Sequence, residues 1–146
     1  MAFTKEYAKK VILSLDEVRK AKQAQTAMYE HGFKKPNGDK LAQLVGASAT
    51  ILGLVFIAST SVGVAAGIAG ILALLAPNEK AALESMINTG YKELDKIETF
   101  LETNTKYSHV EVNLPFIEYE RQGIRFVTGK GVVTRVKAKN GGWVIM

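Results

Sequence analysis

Hydrophobic and polar positions change rhythm three times along the chain. Over residues 3–30, Phe3, Tyr7, Val11, Leu15, Val18 and Met28 recur mostly at three- and four-residue steps. Lys5, Lys9, Lys10, Arg19, Lys20 and Lys22 fall largely off that face. Apolar residues on one stripe of a 3.6-residue period predict an amphipathic helix. Ser14-Leu15-Asp16-Glu17 has the form of a capping box. It marks a second helix start after Leu13, or else leaves Ser14 exposed within one helix. Residues 31–40 lose the period, and Gly32, Pro36, Asn37 and Gly38 predict a turn, with Asn37 or Asp39 as cap for the next helix.

The second rhythm is unbroken apolarity. No residue from Leu41 to Asn78 is charged. A single helix over residues 41–76 would be ~54 Å long at ~1.5 Å per residue, well beyond a hydrocarbon core of ~30 Å. The pattern therefore predicts a helical hairpin with arms near 41–58 and 62–76. Its turn falls at Ser59, Thr60 and Ser61, the most polar tripeptide in the run. Gly63 and Gly67 are four apart, as are Ala66 and Gly70, Ala42 and Gly46, and Ala49 and Gly53. Small residues at that spacing let helix backbones approach closely in lipid. Gly46, Gly53, Gly63, Gly67 and Gly70 are thus the candidate helix-packing residues.

A charged amphipathic pattern then returns. Pro77-Asn78-Glu79 reads as a helix start with Asn78 as cap. Leu83, Ile87, Leu94, Ile97 and Leu101 form a stripe, interrupted at Gly90, that is expected to pack on the first helix. From Tyr107 the period becomes two. His109–Asn113, Phe116–Glu120, Ile124–Val127, Val132–Lys137 and the final Trp143–Met146 read as short antiparallel strands, with Pro115 as punctuation. Asn140-Gly141 is a hairpin signal. The expected fold is mainly α with a small C-terminal antiparallel β unit of four or five strands. Residues 1–106 form a helical membrane-hairpin domain and 107–146 a β tail. The uncharged last strand is expected to be covered, and pairing with another copy is one way to cover it.

Charge sharpens this picture. The net charge of +5 is spread unevenly: residues 1–40 carry +4, residues 79–120 carry −5, and residues 121–146 carry six basic residues and no acid. Lys34, Lys35 and Lys40 border the neutral stretch and are placed as lipid headgroup contacts on the cytoplasmic side. No base-reading motif accompanies the basic tail, so nucleic acid is not the favoured partner.

Candidate chemistry changes little. The chain has no cysteine, and its two histidines, His31 and His109, have no neighbours at ligand spacing. No phosphate-binding loop, nucleophile elbow or zinc-protease motif is present. The expectation is a protein with no catalytic, cofactor or metal site and no small-molecule substrate. Its expected partners are a lipid bilayer and itself, in a cellular or virion membrane with both flanks on one side. The favoured function is non-enzymatic: a membrane-embedded structural or assembly protein such as a viral coat or scaffold. One alternative is a pore-former, holin-like or a bacteriocin or toxin, inserting the same hairpin. A second is a soluble oligomer that buries it.

Overall fold

The structure is a computed structural model that describes residues 4–45, 51–58 and 60–146. Its elements run β1 (Thr4–Ser14), α1 (Leu15–Met28), a π-helical turn (Tyr29–Lys34), α2 (Gly38–Val45), a second π-helical turn (Leu52–Phe56), α3 (Ser61–Leu72) and α4 (Pro77–Thr103). The strands β2 (Tyr107–Tyr119), β3 (Ile124–Val127), β4 (Val132–Ala138) and β5 (Trp143–Ile145) follow.

β2 is the spine of an open antiparallel sheet. β1 runs along one side of it, from Thr4 opposite Tyr119 to Ser14 opposite His109. On the other side β3 pairs with residues 116–119 and β4 with residues 107–113, and β5 folds back on β4 through the Asn140-Gly141 turn. The gap between β3 and β4 has a local cause. In an antiparallel ladder the N–H and C=O of one residue face the same neighbour. The Pro115 carbonyl accepts from the Thr128 N–H at 3.1 Å. Its nitrogen, which has no proton to give, faces that side too, and regular pairing lapses until Val132. β2 itself runs straight through Pro115 because β1 holds its other side.

The expected fold of helices with only a small C-terminal β unit is corrected here. The sheet draws its first strand from the N-terminus, and residues 4–14 are extended rather than helical. A four-residue step fits a period of two as well as one of 3.6. Tyr7, Val11 and Leu13 share one strand face, where Val11 and Leu13 are buried, while Ile12 points the other way and is exposed. Helix begins only at the capping box. The Glu17 N–H donates to Ser14 Oγ at 3.2 Å, and the Ser14 N–H donates to Glu17 Oε1 at 2.9 Å. One serine ends the strand and starts the helix.

α1 packs on α4, whose stripe Leu83, Ile87, Leu94, Ile97 and Leu101 is buried. At the rim, Arg19 pairs with Glu98 and Glu102, and Lys22 with Asp95 and Glu98. The start of α4 is displaced by two residues from the expected cap. Ala76 precedes it, and Glu79 Oε1 accepts from the Ala76 N–H at 2.9 Å.

One side of the apolar run fills the core, while Leu54, Ile57, Val62 and Leu74 are exposed. Leu41, Leu52, Val55, Phe56, Val64, Ile68 and Ile71 are buried in one cluster with Val110, Phe116 and Phe126 of the sheet. α2 packs on α3, so the run does double back. Before α3, Ile57 has φ 71° and ψ −49°, and the Ala58 N–H donates to the Phe56 carbonyl at 2.8 Å. This is a γ-turn of the rarer hand on a β-branched residue, a conformation that costs about 1–3 kcal/mol. Thr60 then caps α3, accepting from the Gly63 N–H at 2.9 Å. The expected transmembrane hairpin and the membrane location are corrected: among the described residues, no helix is long and apolar enough to cross a membrane. The expectation weighed two amphipathic helices as the only cover for the hairpin. The sheet is the cover it left out.

Candidate functional site

Buried polar groups fix the frame on which any surface site rests. Gln25 is fully buried on α1 and acts as a strand mimic at the free edge of β3. Its Oε1 accepts from the Val127 N–H at 3.0 Å, and its Nε2 donates to the carbonyls of Val127 and Ile87, each at 2.8 Å. Gly90 allows this closure, because a Cβ there would lie 1.8 Å from the Val127 oxygen. The gap in the α4 stripe is therefore where the helix crosses the sheet edge.

Arg125 is the second such node. Its Nε and Nη2 donate to the carbonyls of Val55 and Leu54, at 2.8 and 2.9 Å, holding the end of the second π-helical turn. Its Nη1 donates to the Tyr7 hydroxyl, which donates to Glu118 at 2.5 Å. The guanidinium also lies 3.9 Å from the Phe116 ring centroid. Burial, and then the hydrogen bond to Glu118, push the Tyr7 hydroxyl above its ordinary pKa. One of the six cations of the basic tail is thus part of the core.

The positions singled out in the sequence scatter. Gly46 and Ser59 lie outside the described residues. Among the described residues nothing lies within 4 Å of where a Cβ on Gly53 would be, and a Cβ on Gly63 would meet its own cap, Thr60. Gly67 and Gly70 approach the turn between β2 and β3, at the backbone and side chain of Gln122 respectively. Thr60 caps α3 and Ser61 is its first residue. Lys34, Lys35 and Lys40 are exposed around the first turn and the start of α2.

What the fold brings together is the outward face of the sheet. Register places Ser14, His109, Lys137 and Trp143 side by side across four strands. The next row is Ile12, Glu111, Arg135 and Ile145, and the next Lys10, Asn113 and Val132. All of these are exposed or half-buried. Arg135 bonds Glu111 at 2.9 Å and stacks on Trp143, with its guanidinium carbon 4.3 Å from the ring centroid. The hydrogen bonds from Arg135 and then Thr134 hold the Glu111 carboxyl below its ordinary pKa. Among the described residues β5 ends the sheet with its far edge unpaired, and Val144, Ile145 and Met146 are 48%, 85% and 58% exposed. The sequence placed Arg135 and Lys137 on one strand face. It did not add Lys10 or His109, because their alignment depends on β1 and β2 finding each other across the chain.

Grooves lie at the sheet end and on the helical layer. One of about 530 Å³ lies at the end of the sheet, where Lys139, Tyr107, Ser108, Thr105, Asp16 and Arg19 are among its walls. The other, about 370 Å³, lies beside the first π-helical turn and includes Lys22, Glu30, His31 and Tyr91. Among the described residues the His31 ring makes no hydrogen bond that would orient it as a base, and Lys22 is engaged by Asp95 and Glu98. No protein family, curated protein or solved structure matches this chain.

Proposed function

We propose that this chain is a non-enzymatic assembly protein that joins copies of itself along the β5 edge. The supporting observation is a continuous run of exposed apolar side chains on and just past an edge strand: Val144, Ile145 and Met146, with no charge from Trp143 to the end of the sequence given. The opposite edge is β1, which carries Lys5, Lys9 and Lys10. Lysines on an edge strand discourage pairing, and an uncharged apolar edge invites it. Two β5 strands meeting antiparallel would extend the sheet across a two-fold axis and cover both copies of Ile145. The hairpin supports assembly only indirectly, as the packing that holds the sheet in place.

Sedimentation equilibrium tests this. The expected result is a monomer–dimer equilibrium at micromolar concentrations. Ile145→Ser weakens it at least tenfold, since each buried side chain of this size is worth about 1.5–3 kcal/mol and two copies are lost. Ile145→Leu retains it. Because Arg135 and Lys137 flank each edge, association strengthens with added salt as their repulsion is screened. A wild-type chain that stays monomeric at about 100 μM, roughly −5.5 kcal/mol of association free energy, contradicts the proposal.

A further inference from the structure

The cations of the sheet face follow a period of their own. Arg135, Lys137 and Lys139 recur at every second residue, so β4 lays the first two on the outward face about 7 Å apart, and Lys139 continues the line into the groove at the sheet end. Lys137 is flanked in register by His109 and Trp143. Trp143 already carries the Arg135 guanidinium against its ring. Inside the groove, Tyr107 is stacked on Phe100 at an interplanar angle of 12°. A line of cations with flat rings beside it is the arrangement that holds an extended polyanion whose monomers are themselves flat.

The acids nearby are already engaged. Glu111 is bound by Arg135 and Thr134. In the groove Asp16 pairs with Lys20, and Glu102 pairs with Arg19. Residues 121–146 contain no acid at all. We infer that the outward face, from Lys10 on β1 diagonally across to β4 and into the groove beside Tyr107, binds single-stranded nucleic acid: Lys10, Lys137 and Lys139 take phosphates and a base stacks at Trp143. A duplex offers its bases only through grooves that a helix or a two-stranded ribbon enters, and this broad face presents neither. A lipid surface is served by contiguous apolar side chains. Here Ile12 and Ile145 stand at opposite edges with Glu111 and Arg135 between them. The track does not depend on dimerisation, since every residue in it belongs to one copy.

The chain holds a single tryptophan, so the proposed stacking residue is also the reporter. Trp143 fluorescence is followed as a twelve-nucleotide uridine or thymidine oligomer is titrated in. A duplex of equal length, polyglutamate and vesicles of anionic lipid are titrated separately. The single strand is expected to quench and shift the emission at concentrations at least tenfold below the others. The logarithm of the binding constant should fall with log salt at a slope near about −2 for three phosphates. Lys137→Gln with Lys139→Gln is expected to weaken binding at least tenfold and to flatten that slope to about −0.7. Both side chains are on the surface, and circular dichroism checks that the fold is kept. With a labelled oligomer read by anisotropy, Trp143→Ala loses about tenfold and Trp143→Phe stays within about threefold, because any aromatic face stacks. Four results would each overturn the inference: no quenching by the single strand, an equal response to polyglutamate or vesicles, preference for the duplex, or a binding constant unmoved by the paired lysine substitution.

Discussion

At the scale of single residues, three positions mark where regular elements meet: Ser14, Gln25 and Gly90. Ser14 was legible, because Ser-x-x-Glu is a local signal and the reciprocal bonds of the capping box need only four residues. Gln25 was not. Its role depends on the exposed edge of a strand a hundred residues later, and nothing near it in the sequence refers to that edge. Gly90 showed as a gap in a stripe, with its cause hidden for the same reason. Gln25→Leu keeps the bulk but leaves the Val127 N–H and carbonyl buried without a partner, while the Ile87 carbonyl keeps only its helical bond. At about 1–3 kcal/mol for each such group, with incomplete additivity, the expected loss is about 3–5 kcal/mol. Urea unfolding measures it as a lower midpoint at unchanged slope. A loss below about 1 kcal/mol would show that the amide is not what closes the β3 edge.

At the scale of elements, periodicity identified α4 and the C-terminal strands but misassigned β1. The stripe of α4, from Leu83 to Leu101, extends over about five turns, and over that length a helical period has no competitor. The four-residue steps of Phe3, Tyr7 and Val11 are ambiguous, since every fourth position also shares a strand face. Only the exposure of Ile12 separates the two readings, and exposure belongs to the tertiary structure. The joint between α1 and α4 gives a prediction of its own. The Glu98 carboxyl is held below its ordinary pKa, first by its hydrogen bond to Lys22 and further by the Lys22 charge and the hydrogen bond from Arg19. A carboxyl depressed in the folded state stabilises it above the unfolded pKa of about 4.3, and that contribution disappears as pH falls through the folded value. Thermal melts between pH 7 and pH 3 should show the wild type losing more stability than Glu98→Gln, with the difference developing below about pH 4.5. At pH 7 the substitution costs about 1 kcal/mol, as partly exposed pairs do. Parallel acid limbs in the two proteins would show that the joint is not held by charge.

At the scale of the whole molecule, the chain is organised by which surfaces are left to cover its apolar run. Composition alone sent that run to a bilayer, since two amphipathic helices cannot enclose it. The fold encloses it by lifting the first eleven described residues out of the helical layer and placing them beside β2. Part of the run stays outside, at Leu54, Ile57, Val62 and Leu74, while the apolar end of β5 and the basic track on β4 are the exposed features on which the two proposed activities rest. Amide hydrogen exchange of the full chain, in buffer without lipid or detergent, tests this arrangement most directly. An edge strand bonds through every second amide, so residues 4–14 should alternate between slow and fast exchange, with the slow set matching β2 and with residues 61–72 protected alongside. Consecutive protection through residues 4–14, or free exchange through residues 61–72 until vesicles are added, would contradict it.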